Sequence, residues 1–368
     1  MTLRIATFNV ENLFSRPKVM NFPTWAEGQP YLDDYYRLNS LLNQEHYSAA
    51  DKREILKLLK RHGLTAARPQ SEYFEFRDLR GKLLKRSKDK PPVVVAEGRG
   101  DWLGWLALKQ DSVADAAIQN TARAIAEVNP DILVLVEVEN RPALQRFHDQ
   151  ALEPLLRAMG RPGYGDSMVI DGNDQRGIDV GILSRKPIVR MRSHVTDLTN
   201  GRTTFSRDCP EYYIAVNPNL QLAVLPNHFA SKGSDRTGAR RRIQAARVQE
   251  IYRGLRADHE YVIVAGDLND NPQSGALDAL LTQTDARDAM SLDVYHGFPG
   301  TYQRATAAEK IDYLLMSPRL VERVMQVNVF RKGFYAPTKW ESFENITKDT
   351  KDRNQASDHH CLWVDLDL

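Results

Sequence analysis

Cysteine is scarce in this chain: Cys209 and Cys361 are the only two among 368 residues. Two thiols cannot build a disulfide framework, and a chain of this length can bury a core without one. A reducing compartment is the default reading. Long apolar runs are also missing. None approaches the roughly 18–20 residues that a bilayer span requires, and Leu3 enters a strand-like pattern with no basic-then-apolar leader before it. The sequence thus reads as a protein with no membrane partner, cytoplasmic, or secreted where a leader has been removed. An excess of one charge is lacking too: the formal net charge of +2 is too near zero to announce a nucleic-acid binder. No repeat, low-complexity tract or Gly/Ser linker marks a domain boundary.

What is present is a layered α/β pattern. Hydrophobic residues make up 42% of the chain, enough for a sizeable core. Strand-like aliphatic runs alternate with helical periodicity, expected over Val113–Val128 and Ile243–Leu255. Asn129-Pro130-Asp131 stops the first helix and hands the chain to Ile132-Leu133-Val134-Leu135-Val136, whose lack of alternation suits a strand covered on both faces. Residues 1–368 read as one domain carrying a long insertion at about 15–112. That insertion shows a helix around Asp51–His62, a strand-like run Tyr73–Phe76, a basic segment Lys82–Lys90 that reads as a solvated face, and Pro91-Pro92 before Val93–Val95. Nothing in it tells its role.

Acidic and amide residues recur where apolar runs end. Asn9 and Glu11 follow Arg4–Phe8, and Glu137 follows Ile132–Val136. Asp267 and Asn269 follow Val262–Gly266, Asp312 sits in Lys310-Ile311-Asp312-Tyr313, and Asp358-His359 precede Leu362-Trp363-Val364. A carboxylate at the tip of a buried strand costs free energy unless a charge, a metal or several donors satisfy it. Gly266-Asp267-Leu268-Asn269 is the most diagnostic of these motifs, and pleat geometry would set Asp267 and Asn269 on one side. Read alone it also fits an ordinary Asx turn. His228 stands at another strand end, after Leu222–Leu225, within Asn227-His228-Phe229-Ala230-Ser231-Lys232-Gly233. His360, beside His359 on an extended chain, is read as structural.

Basic residues gather around these motifs. Arg207 lies in Thr203–Asp208, and Arg176 and Asp179 lie in Arg176-Gly177-Ile178-Asp179-Val180. Lys232, Arg236, Arg240, Arg241 and Arg242 cluster just beyond His228. Such residues can track a nucleic-acid backbone, and the alternative is a solvated helix face with surface ion pairs.

Together the motifs resemble the endonuclease/exonuclease/phosphatase superfamily, which includes pancreatic-type deoxyribonucleases, abasic-site endonucleases, inositol-polyphosphate phosphatases and bacterial sphingomyelinases. The resemblance covers the first dozen residues and most of Val113–Leu368, and the histidine motif around His228 is similar to that of the bacterial nuclease-type members. It implies two packed β-sheets flanked by helices, a four-layer α/β/β/α sandwich, with the site at one edge where strand ends meet. It implies Glu137 as the leading metal ligand, with Asn9, Asp358 and Glu11, and Mg²⁺ as the cofactor, with Mn²⁺ or Ca²⁺ as alternatives. Oxygen donors suit these hard cations. By the same resemblance Asp267 orients or deprotonates the attacking water, Asn269 contacts the scissile phosphate, and Asp312 holds the catalytic His359. His228 contacts phosphate or acts as general acid, Asp179 orients His228, and Arg207 and Arg176 bind substrate phosphates. Lys232, Arg240 and Arg241 are expected to bind substrate phosphates from their charge and their position just beyond His228.

The activity so implied is metal-dependent hydrolysis of phosphodiesters, with DNA as the expected substrate and RNA next. The rivals are a phosphatase or phosphodiesterase acting on a small or lipid phosphate, and a catalytically silent binding protein on the same fold. Against an inositol-phosphate phosphatase stands Lys310–Leu315, which lacks the Cys-Asp-Arg segment such enzymes place around this aspartate.

Overall fold

Alternation along the central strands sets the layers. In the computed structural model, which describes residues 2–13, 17–21, 25–87, 90–109, 116–174 and 176–368, the strands of the two large sheets are β1 (Thr2–Leu13), β2 (Ile132–Val138), β3 (Asp166–Val169), β4 (Asp179–Ser184), β5 (Ile188–Arg192), β6 (Glu211–Asn217), β7 (Leu220–His228), β8 (Val262–Asp267), β9 (Arg287–Asp288), β10 (Asp312–Met316), β11 (Val324–Phe330) and β12 (Cys361–Asp367). The first sheet has the order β11-β12-β1-β2-β4-β3 and the second β9-β10-β8-β7-β6-β5. Each has one parallel central pair, β1 with β2 and β7 with β8, flanked by antiparallel neighbours.

One set of side chains from each sheet meets between the sheets: Leu3, Ile5, Ile132 and Val134 against Leu222, Val224, Ile263, Ala265, Leu314 and Met316. The opposite set faces the helices. Ala6, Phe8, Leu133 and Leu135 pack in one cluster with Ala122, Ile125 and Ala126 of helix α1 (Ala116–Val128). Ala223, Leu225, Val262 and Val264 pack with Ala245, Val248, Ile251 and Leu255 of helix α2 (Ala239–Asp258). Both faces of each sheet are therefore covered, which is why the runs that end in Glu137 and Asp267 are apolar throughout. This is the four-layer α/β/β/α sandwich expected from the sequence. Helix α2 begins four residues before Ile243, and Val113–Asp115 lie outside the described residues.

The chain divides into two compact units, Met1–Phe14 with Val113–Leu368, and Ser15–Ser112. The second unit has its own core, in which Leu38, Ile55, Leu59, Phe74, Trp102 and Leu106 are buried together. Its helices are Trp25–Leu42 and Ala49–Arg61, the second opened by a Ser48/Asp51 capping box. The strand Phe74–Arg80 pairs with Leu103–Leu108, and Leu84–Ser87 pairs with Lys90–Val94 across the basic segment, of which Lys88 and Asp89 lie outside the described residues.

Candidate active site

The inward-facing rows of both sheets turn polar at one rim. Asn9 continues the row of Leu3 and Ile5, Asp267 that of Ile263 and Ala265, Asp312 that of Leu314 and Met316, and His228 that of Leu222 and Val224. Adjacent registers bring them level, since His228 pairs with Asp267 and Asp267 with Asp312. Glu137 breaks this rule. Alternation would send it outward with Leu133 and Leu135, but a bulge shifts the register between Val136 and Val138, and Glu137 takes φ 67°. Val138 is thereby turned into the outer cluster and Glu137 inward. Glu11 and Asn269 also have positive φ, 46° and 54°, so backbone strain gathers at this rim.

Gly266 has a packing reason. Its φ is 137°, and a Cβ there would stand 2.0 Å from the Asn227 carbonyl oxygen. Only glycine lets β7 and β8 close beneath the site. Beyond it, Asp267 and Asn269 meet through an Asx turn and not through the pleat, because the strand ends at Asp267. The Asn269 N–H donates to Asp267 Oδ1 at 2.8 Å, and Asn269 Nδ2 donates to Asp267 Oδ2 at 3.2 Å and to the Phe229 carbonyl at 3.1 Å.

Asn9, 1% exposed, ties the cluster from behind. Its Nδ2 lies 3.2 Å from Glu137 Oε1 and from Asp267 Oδ2, and 3.3 Å from His359 Nε2. Its Oδ1 accepts from the Glu11 N–H at 3.1 Å. His359 Nδ1 donates to Asp312 Oδ2 at 2.9 Å, and Thr301 Oγ1 donates to the same oxygen at 2.7 Å. Ser357 Oγ accepts from the His359 N–H and donates to the Asn9 carbonyl. Neither Thr301 nor Ser357 was singled out from sequence. Ser357 stands inside the Asp358-His359 motif, whereas Thr301 had no signal beyond following Gly300. His360 turns the other way and donates from Nε2 to the Gln303 carbonyl at 2.9 Å.

The electrostatics divide the rim. Burial opposes charge on His359, but Asp312, Asp267 and Asp358 outweigh it and raise the imidazolium to about 10. Burial, then Arg207, His359 and Arg176, hold His228 well below the usual histidine value of 6.5. Asp267 lies between them, its Oδ2 3.8 Å from His359 Nε2 and 3.7 Å from His228 Nε2. Burial and then the Asp312 charge push its carboxyl up to about 7. Partial enclosure, then Asp358 and Glu137, push the Glu11 carboxyl up to about 6.

A cavity of about 530 Å³ opens on this rim, lined among others by Glu11, Glu137, Asp358, Asp267, both histidines, Arg207, Arg176, Lys232 and Tyr302. Glu11, Glu137 and Asp358 form an oxygen-only donor set of like charge, which fits a hard divalent cation. Among the described residues, the group whose ligand atoms all lie within 4.8 Å of one another is Asp267, Asp312 and His359. Asp312 is fully buried, and its Oδ2 is committed to His359 and Thr301.

Two expectations are corrected. Arg241, assigned to phosphate binding, is 3% exposed and fully engaged: Nε donates to Asp270 Oδ2 at 2.8 Å, Nη1 donates to the Ala230 carbonyl at 3.1 Å, and Asp235 Oδ2 lies 3.7 Å away. It clamps the His228 loop to the loop beyond Asn269. Asp179 does not orient His228: its Oδ1 accepts from the Gly172 N–H at 2.9 Å, burial pushes its carboxyl up to about 6, and His228 Nδ1 has no hydrogen-bond partner among the described residues. Asn269 lines the cavity, with its amide on Asp267 and the Phe229 carbonyl. Of the other basic residues, Arg207 is 4% exposed, with Nη2 on the Phe229 carbonyl at 3.0 Å and Nε without a partner among the described residues. Arg176 is exposed and grips Asp174 in a fork, Lys232 is 3.6 Å from Asp270 Oδ1, and Arg240 is exposed at the start of α2.

Among curated proteins no sequence matches the chain. Among solved structures, an endonuclease/exonuclease/phosphatase family protein from Bacteroides thetaiotaomicron aligns with a TM-score of 0.51 at 13% identity, covering 100% of this chain and 99% of that one. A mannosyl-6-phosphatase from the same organism gives 0.48 at 17% identity, covering 68% of this chain and 91% of that one. The human nocturnin catalytic domain with bound sulfate gives 0.47 at 17%, covering 68% and 86%. The family model described as endonuclease/exonuclease/phosphatase matches residues 109–359, more than half of the chain and a span that holds Glu137, Asp267, Asp312 and both rim histidines. On that match, the chain belongs to the endonuclease/exonuclease/phosphatase family, whose members are phosphoesterase hydrolases.

Proposed function

We propose that this protein is a divalent-metal-dependent phosphodiesterase whose substrate is nucleic acid, DNA first and RNA next. The observation that supports this reading best is the pairing at the rim: one buried carboxylate, Asp267, stands between a charged imidazole and a neutral one, opposite a cation-ready set of carboxylates. Glu11, Glu137 and Asp358 would hold Mg²⁺, which supplies charge neutralisation on the phosphoryl oxygens.

The chain's own groups do the rest. Asp267, pushed up to about 7, accepts a water proton near neutral pH, the range where a general base works best. Asn269 and Asn9 donate to its two oxygens and fix its direction. His359, kept charged by Asp312, offers Nε2–H to a phosphoryl oxygen. His228, neutral, offers a hydrogen bond from the other side without repelling Arg207.

Cleavage of plasmid and of single-stranded DNA and RNA, assayed beside a small phosphomonoester with and without chelator, tests the proposal. The expected result is polymer cleavage that chelator abolishes and added Mg²⁺ restores. Turnover of the monoester alone would move the reading to a phosphatase, and no turnover of any substrate would move it to a binding protein.

A further inference from the structure

The Ser15–Ser112 unit carries a surface that the catalytic reading leaves unused. Its two ladders, Phe74–Arg80 with Leu103–Leu108 and Leu84–Ser87 with Lys90–Val94, are successive stretches of one antiparallel ribbon. Residues 81–83 join them along one arm, and the Val95 N–H donates to the Leu83 carbonyl at 2.9 Å across the join. The inner side of the ribbon is spent on the unit's own core, where Phe74, Leu84 and Leu106 are buried. Alternation sends the other set outward, with Arg77 opposite Trp105 and Lys85 opposite Val93.

Two properties set this outer face apart. The first is charge: residues 77–90 hold seven basic side chains against two acidic ones, in a chain whose net charge is +2. Arg77 is paired with Glu75 at 2.7 Å, and Asp78 accepts from the Trp102 Nε1–H at 2.6 Å. Arg80, Lys82, Lys85, Arg86 and Lys90 are exposed, and no carboxylate pairs with any of them among the described residues. The second is an aromatic: Trp105, 41% exposed, stands in the outer row directly across from Arg77. Unpaired cations of one sign repel one another, and an indole face in water is left without a packing partner. Single-stranded nucleic acid answers both, with phosphates for the cations and a base for the indole. An acidic peptide supplies the charge without the flat faces.

We propose that this outer ribbon face binds single-stranded nucleic acid, with phosphates on Arg80, Lys85 and Lys90 and a base stacked on Trp105. The choice of polymer rests on the phosphodiesterase reading above, whereas the binding itself uses none of the catalytic residues.

Fluorescence anisotropy of a labelled oligothymidylate of about 16 nucleotides, with the full chain in chelator, tests this without cleavage. The combined change Arg80→Gln, Lys85→Gln and Lys90→Gln should weaken binding at least about tenfold and flatten the slope of log K against log salt by about 2, since each phosphate neutralised on a single strand contributes about 0.7. A charge-matched change on the helix Ala49–Arg61, Arg53→Gln with Lys57→Gln and Lys60→Gln, should alter neither. Trp105→Ala should weaken the oligothymidylate about five- to hundredfold and leave an abasic strand of equal length unaffected. The replaced residues are all exposed, so the variants keep the fold. Equal losses in the ribbon and helix variants, an abasic strand bound as tightly as the oligothymidylate, or competition by polyglutamate or phosphatidylserine vesicles as strong as by the oligonucleotide would overturn the proposal. Polymer cleavage with binding unaltered in the ribbon variants would also overturn it while keeping the phosphodiesterase reading. Ribbon-dependent binding without cleavage of any polymer would support it and remove that reading.

Discussion

His228 and His359 are both buried imidazoles beside strand ends, each with Nε2 within 4 Å of the same Asp267 oxygen, yet their surroundings are opposite. The His359 side is built of carboxylates, with Asp312 hydrogen-bonded to Nδ1 and Asp358 3.8 Å from Nε2. The His228 side carries Arg207 and Arg176, and its Nδ1 has no partner among the described residues. Identical side chains at equal distance from one carboxylate thus take different charge states, because a ring's protonation follows the charges it can reach and not its place in a motif.

Three substitutions probe this contrast in order of expected effect. Asp267→Asn keeps the shape of the shared carboxylate but removes the proton acceptor, and should lower the rate of phosphodiester cleavage by roughly 10³–10⁴-fold, the upper part of the range for positioned acid–base groups. Full activity would remove Asp267 from the mechanism. His359→Gln and His228→Gln should each cost at least roughly 10²-fold. If only one did, the two-sided reading would reduce to a single working histidine.

Stability sharpens the contrast further. Arg241, buried between Asp235 and Asp270, should cost about 3–5 kcal/mol when replaced by leucine, the usual penalty for leaving buried carboxylates unpaired. Arg240, exposed one residue earlier, should change stability by less than about 0.5 kcal/mol as alanine. Denaturant unfolding of the two variants measures both, and equal effects would contradict the clamp.

A further test is in pH dependence. Folding raises His359 from 6.5 to about 10, so its charge stabilises the fold fully below pH 6.5, and that contribution is lost as pH climbs towards about 10. The Tm gap between the parent and His359→Gln should therefore be widest near pH 6 and close towards pH 10. A gap that widens with pH would reverse the assignment.

Much of the site was legible because a polar residue ending a covered apolar strand is out of place unless it has work to do. Asp267, Asp312 and Asn9 lie on the inward rows that alternation alone assigns. Glu137 was legible as a residue but not as a direction, since only the bulge at φ 67° turns it inward. The arginines were the least legible. Arg207 and Arg241 both read as basic residues near a strand-end histidine, but the partners that bury Arg241 come from two separate loops, at Asp235 and Asp270, and no local pattern encodes that meeting. Thr301 escaped notice for the same reason, being eleven residues from the Asp312 it supports. In the second unit, helix Trp25–Leu42 went unread because Gly28 and Pro30 interrupt its first turns.

Nitrogen-15 histidine NMR across a pH titration, in chelator and with His228→Gln and His359→Gln to assign the signals, tests the two-sided site most directly. The account predicts at pH 7 one imidazolium, lost in His359→Gln and persisting towards pH 10, and one neutral ring, lost in His228→Gln and still neutral below pH 6.5. Two rings titrating together near 6.5 would contradict it.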